Sequence, residues 1–257
     1  MQVEPRSKPS TEGRRYVRAT VAYDGTDFLG FQWQAQGRTV QAVLETALEQ
    51  VSQAPSRVVG SGRTDTGVHA AGQVIGFWTA WRHSFADLQR ALNAVLPGDV
   101  AVLAIGSADP TWHPRFSAIR RYYRYTVLNQ PWRSPLDRRY THLVTQPLNL
   151  EAMQTAAGLL VGVHDFASFG QPTQGDSTVR AVFSAEWQRD GSRFHFDVIG
   201  SGFLRGMVRC LTGTLLQVGA GLWESDRVAA LLAAQNRALA PPPAPACGLC
   251  LMQVDYE

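Results

Sequence analysis

Eleven residues, Gly60-Ser61-Gly62-Arg63-Thr64-Asp65-Thr66-Gly67-Val68-His69-Ala70, hold three glycines, a guanidinium, a carboxylate and an imidazole. Few of these side chains suit a core. Glycine permits tight turns and close backbone approach, and such loops on a rigid scaffold often carry chemistry. Asp65 can serve as a covalent nucleophile, as an acid/base group, or as a plain ion-pair partner of Arg63, which would keep it ionised. The residues by themselves leave these roles open. Asp65-Thr66-Gly67 also spells the triplet of aspartic proteases. Those enzymes need two carboxylates sharing a proton, so a single copy would require a homodimer, and the polar flanks here differ from that class.

Further constellations lie downstream. Tyr122, Tyr123 and Tyr125 alternate with Arg121 and Arg124, a combination that can stack bases and hold phosphates or simply fill a half-buried strand. Arg205 and Arg209 are four apart and share one face of a predicted helix. Cys247-Gly248-Leu249-Cys250 lacks the second pair or the histidines that zinc requires. The histidines at 69, 83, 113, 142, 164 and 195 form no ligand pattern. No metal site is expected.

These groups need elements to position them. Tyr16 to Tyr23 alternates as a strand. Thr39 caps a helix with Val40, Val43, Leu44, Ala47, Leu48 and Val51 at helical spacing. Ser56 to Val59 is a short strand entering the glycine loop, and Gln73 to Trp78 is the next. Ser84 with Asp87 forms a capping box for a helix that Pro97-Gly98 ends, and Val100 to Ile105 follows. The order β-α-β-β-α-β is the split β-α-β, ferredoxin-like arrangement. The second half repeats it: a strand at 122–128, a helix capped by Asn149, a hairpin about Asp190-Gly191, helices over 203–218 and 225–235, a linker at Pro241-Pro242-Pro243, and a closing strand at 249–256. The expected fold is α+β, with two ferredoxin-like lobes forming a mixed, mostly antiparallel sheet, helices on one face and a central cleft. Residues 1–15 read as a disordered basic arm, 16–106 as the N-terminal lobe and 107–257 as the C-terminal lobe.

With 45% apolar and 18% charged residues the chain can bury a real core. It has no apolar run that would span a membrane, and its N-terminus lacks a signal-peptide core. Three cysteines are too few for a disulfide framework, so a cytoplasmic location is expected. The net charge is only +3, but 23 of 24 basic residues are arginine, Lys8 being the exception. Arginine's planar fork matches phosphate and stacks on bases.

Taken together, the motifs resemble the tRNA pseudouridine synthase A family. Gly62-Arg63-Thr64-Asp65-Thr66-Gly67-Val68-His69-Ala70 is similar to its signature, with Thr66 in place of Ala. Ala22-Tyr23-Asp24-Gly25-Thr26, Gly30-Phe31-Gln32, Arg115-Phe116-Ser117-Ala118, His164-Asp165-Phe166, Gly202-Phe203-Leu204, Met207-Val208-Arg209 and Val254-Asp255-Tyr256 follow in family order. Phe31, Tyr122, Gly206 and Cys210 depart from the usual residues beside catalytic positions. The resemblance implies isomerisation of uridine to pseudouridine at positions 38–40 of the tRNA anticodon stem-loop. It implies that Asp65 is the nucleophile, Tyr123 contacts the target base, Arg63 helps to flip the nucleotide, and Arg209 pairs with the catalytic Asp. No cofactor is implied, and the partners would be tRNA and a second copy of the chain. The alternative is a tRNA-binding protein without activity.

Overall fold

The computed structural model describes residues 13–172 and 175–257. They form two compact units: the described residues up to Ile119 together with Gln253–Glu257, and Arg120–Met252. The sequence boundary at 106 therefore differs from the structural one. The segment after 106 stays with the first unit, where Ala108 N donates to Tyr16 O and the Trp112 ring packs near Tyr16 and Tyr256.

In the first unit the elements run β1 (Arg15–Tyr23), α1 (Val40–Ser52), β2 (Val59–Gly60), β3 (His69–Thr79), α2 (Phe85–Val95) and β4 (Val100–Ser107). β1 lies antiparallel between β4 and β3, and β2 pairs antiparallel with β3. The spatial order 4-1-3-2 is that of the split β-α-β fold. Along β1, Val17, Ala19, Val21 and Tyr23 are buried while their neighbours are only partly covered, as alternation demands of a sheet packed on one face. α1 and α2 pack against each other. Thr39 and Ser84 cap them, each accepting from the backbone amide three residues on.

The second unit contains β5 (Ala118–Asn129, from Arg120 on), β6 (His142–Val144), α3 (Leu150–Gly158), β7 (Gly162–Asp165), β8 (Val179–Asp190), β9 (Arg193–Gly200), α4 (Met207–Gly219), α5 (Arg227–Ala234) and the first half of β10 (Leu249–Tyr256). Its strand order is β10-β5-β9-β8-β7, and β6 lies parallel to the end of β5. The 4-1-3-2 pattern thus recurs, with β7 added at the edge. The β8–β9 hairpin turns at Asp190-Gly191, where Gly191 takes φ +57°. α4 is buried on nearly every side and packs against α3.

Several expectations change. The arm expected over 1–15 falls outside the described residues as far as 12. Arg15 itself opens β1, its guanidinium donating to Trp81 O and His83 O. The strand expected at 56–59 is two residues, Val59–Gly60. The glycine stretch is not loop throughout, because β3 begins at His69. α4 starts at Met207 rather than at 203. Gly206 sits at φ +72°, and Arg205 N bonds to Gln171 O in an isolated bridge. Arg205 therefore does not share a helical face with Arg209.

Candidate active site

The Asp65 loop is held by its backbone. Phe31 N donates to Thr64 O (3.1 Å), Gly67 N to Phe28 O (3.3 Å) and Val68 N to Asp65 O (3.1 Å). Two glycines of the preceding segment allow this approach. A β-carbon on Gly25 would lie 2.0 Å from Val68 O, and one on Gly30, which has φ +89°, would lie 2.7 Å from Thr64 O. Gly67 takes φ +77° at the turn itself. In this way the Tyr23–Phe31 segment forms a cradle under Asp65 that only small residues permit.

Side chains fix the remainder. The Tyr23 hydroxyl is 2.8 Å from Thr64 Oγ1 in a buried pair. Gly25 N donates to His69 Nδ1 (3.0 Å), and that imidazole lies 3.2 Å from Asp24 Oδ1. Asp24 also accepts from the amide and hydroxyl of Thr26. On the other flank, Ser61 Oγ donates to Gln73 Oε1 (2.5 Å), and Gln73 Nε2 donates to Gly62 O (3.0 Å). Tyr23, His69 and Gln73 thus act as positioning residues that the sequence reading did not single out. His69 stood in the signature and Tyr23 in a quoted motif. Gln73 gave no signal, since its partners lie eleven and twelve residues back.

Within this frame Asp65 is half-buried and Arg63 and Thr66 are exposed. Arg63 makes no hydrogen bond or ion pair among the described residues, so its guanidinium can take a ligand.

Tyr123 and Arg209 belong to the second unit. Tyr123 is 9% exposed on β5 and meets Phe203 edge-to-face, centroids 5.3 Å apart. Arg209 lies in the first turn of α4, its Nε donating to Ala244 O (2.7 Å). The other residues of the Tyr/Arg strand are structural. Tyr122 donates to Asp197 Oδ1 (2.8 Å), and Arg124 grips both oxygens of that carboxylate at 2.7 Å. Burial, then the Asp197 hydrogen bond, pushes the Tyr122 phenol up to about 12. Tyr125 is fully buried, donates to Pro245 O (2.8 Å), and is held far above the ordinary phenol range by desolvation. The His164-Asp165-Phe166 motif builds β7 and the core: Phe166 and Phe169 are buried, and Asp165 accepts from Ala167 N.

Among the described residues no group of three or more His, Cys, Asp or Glu could hold a metal ion. No helix there is long and apolar enough to cross a membrane.

A family model described as tRNA pseudouridine synthase matches residues 19–117 and 156–257. Arg63, Asp65 and Arg209 lie inside these stretches and Tyr123 between them. The tRNA pseudouridine synthase A of Roseiflexus castenholzii is 44% identical, covering 94% of this chain and 91% of the relative. That of Pelobacter propionicus is 43% identical, covering 94% and 100%. That of Bacillus pumilus is 41% identical, covering 94% and 99%.

Proposed function

The chain belongs to the tRNA pseudouridine synthase family, a family of isomerases, and from that premise we propose that Asp65 is the nucleophile converting uridine to pseudouridine in the anticodon stem-loop of tRNA. The target base is stacked in the free RNA and must be extruded before it can react. Arg63, exposed beside Asp65, assists the extrusion by taking a phosphate or the vacated stacking position. Asp65 then acts on the ribose so that the bond between N1 and C1′ breaks. The freed uracil turns in the pocket, C5 bonds to C1′, and the hydrogen on C5 leaves as a proton while N1 gains one. The product is an isomer of the substrate, so no oxidant or cofactor enters the balance.

The family resemblance assigns Arg209 to pair with the catalytic Asp and Tyr123 to contact the base. The second copy that the resemblance implies, and a cytoplasmic setting with access to tRNA, belong to the same proposal. The observation that carries the assignment of Asp65 is its loop. The backbone on both sides is anchored to 28–31, while Asp65 stays half-buried beside an exposed arginine. Such a preorganised group suits attack on a bound substrate.

The test is tritium release from unmodified tRNA labelled at C5 of uridine, with wild type compared with Asp65→Asn. Release by wild type alone supports both the reaction and the residue. Turnover by Asp65→Asn overturns the nucleophile. No release by wild type, with tRNA tightly bound, leaves a binding protein.

A further inference from the structure

The loop between β5 and β6 has no part in the site described above, yet it is held firmly in place. Ser134 Oγ donates to Asp137 Oδ2 (2.7 Å), and Tyr140 N and Thr141 Oγ1 both donate to Asp137 O (2.8 and 3.0 Å). Arg193, at the foot of the β8–β9 hairpin, donates to Asp137 Oδ1 (2.8 Å). Asn129 Nδ2 ties the start of the loop to Val144 O and Gln146 O.

This scaffold presents the wrong residues for an idle surface turn. Trp132 is 77% and Leu136 90% exposed. Arg133 and Arg138 are exposed and make no hydrogen bond or ion pair among the described residues. Asp137 already engages Arg193, and Arg133 and Arg138 are the guanidinium groups open to a ligand.

We propose that the Trp132–Arg138 loop is a second RNA-docking surface, where Arg133 and Arg138 take backbone phosphates and Trp132 offers a ring for base stacking. The proposal rests on the tRNA reading above. Asn129 lies six positions along β5 from Tyr123, roughly 20 Å at strand rise, so the loop engages RNA well away from the target nucleotide. Its contacts position the substrate without reading sequence. An apolar tip also suits a protein partner. A symmetric contact with a second copy, however, sets the same uncompensated cations against each other across the axis, whereas RNA neutralises them.

The experiment uses the full chain and one unmodified tRNA. Arg133→Glu/Arg138→Glu and Trp132→Ala are compared with wild type by fluorescence anisotropy over a salt series, with tritium release and mass by light scattering. For the charge reversal, the tRNA Kd rises by about tenfold or more and the slope of log K against log salt falls by about 1.5 to 2. For Trp132→Ala the Kd rises by about fivefold or more, with little change in slope. KM follows Kd, kcat stays within about twofold, and the mass and circular dichroism are those of wild type. Unchanged tRNA affinity overturns the proposal. So does a lower oligomeric mass in either variant, which assigns the loop to protein contact. Wild type that binds tRNA without tritium release would defeat the enzymatic reading and leave this binding test intact.

Discussion

Arg209 and Ala244 exchange two hydrogen bonds: Arg209 Nε donates to the Ala244 carbonyl (2.7 Å), and the Ala244 amide donates to the Arg209 carbonyl (3.0 Å). The proline run before Ala244 is therefore a clamp rather than a loose linker. Gly213 lets Pro242 O approach, since a β-carbon there would lie 2.8 Å from it, and prolines fix φ along the run.

Arg209→Lys keeps the charge and removes the Nε–H and the planar fork. The expected result is a kcat reduced about tenfold or more with KM changed by less than about threefold, in tritium release under saturating tRNA. Near-normal kcat would mean that charge alone suffices and that the clamp has no catalytic role. Arg209→Ala should lose more activity than tRNA affinity.

The cradle under Asp65 makes a sharper claim. Gly30→Ala places a β-carbon 2.7 Å from Thr64 O and 3.3 Å from the Asp65 carbonyl carbon, at φ +89°. Backbone there must move, at a cost of about 1–3 kcal/mol. Gly62→Ala is the internal control, since nothing lies within 4 Å of its β-carbon and its φ is not positive. Gly30→Ala should lose more than about tenfold in kcat while Gly62→Ala stays within about threefold. Equal behaviour of the two would dissociate the cradle from activity.

Local signals made much of this fold legible. Thr39, Ser84 and Asn149 cap the helices they were expected to cap, because a cap and its amide are near neighbours in sequence. Asp190-Gly191 turned the expected hairpin for the same reason. What stayed hidden depends on distant partners. β6 has three residues and exists through its pairing with β5. Arg205 looked helical until Gln171 and the positive φ of Gly206 removed it from α4. At the site, Asp65 stood out by its loop chemistry. The support from Gln73, Tyr23 and His69 crosses 11 to 44 residues and left no local pattern.

His69 offers a test of that support. Its Nδ1 accepts from Gly25 N (3.0 Å) in a buried setting. His69→Ala leaves this amide without its acceptor and leaves a void where the imidazole was buried. The expected loss is about 1–3 kcal/mol in unfolding free energy, with kcat lowered more than KM is raised. Urea unfolding and tritium release on one preparation check both. Wild-type stability would show that water or a local shift replaces the imidazole.

The last prediction concerns pH and Tyr122. Its phenol stands at about 12 in the folded chain against an ordinary value of 10.0, so the folded state holds this proton more tightly than the unfolded one. The stabilisation is complete below pH 10 and is lost as pH rises through 12. Tyr122→Phe removes the group. Asp197 remains bidentate with Arg124, so at pH 8 the variant should lose only about 0.5–1.5 kcal/mol. Tyr16 and Tyr125 are also raised by burial, but both are present in wild type and variant and cancel in the comparison. The difference in urea midpoint between the two proteins should hold from pH 8 to near 10 and shrink toward pH 11. A constant difference would show that the hydroxyl is not the group that titrates. Tritium release at pH 8 should stay within about twofold, because Tyr122 points to the opposite side of β5 from Tyr123.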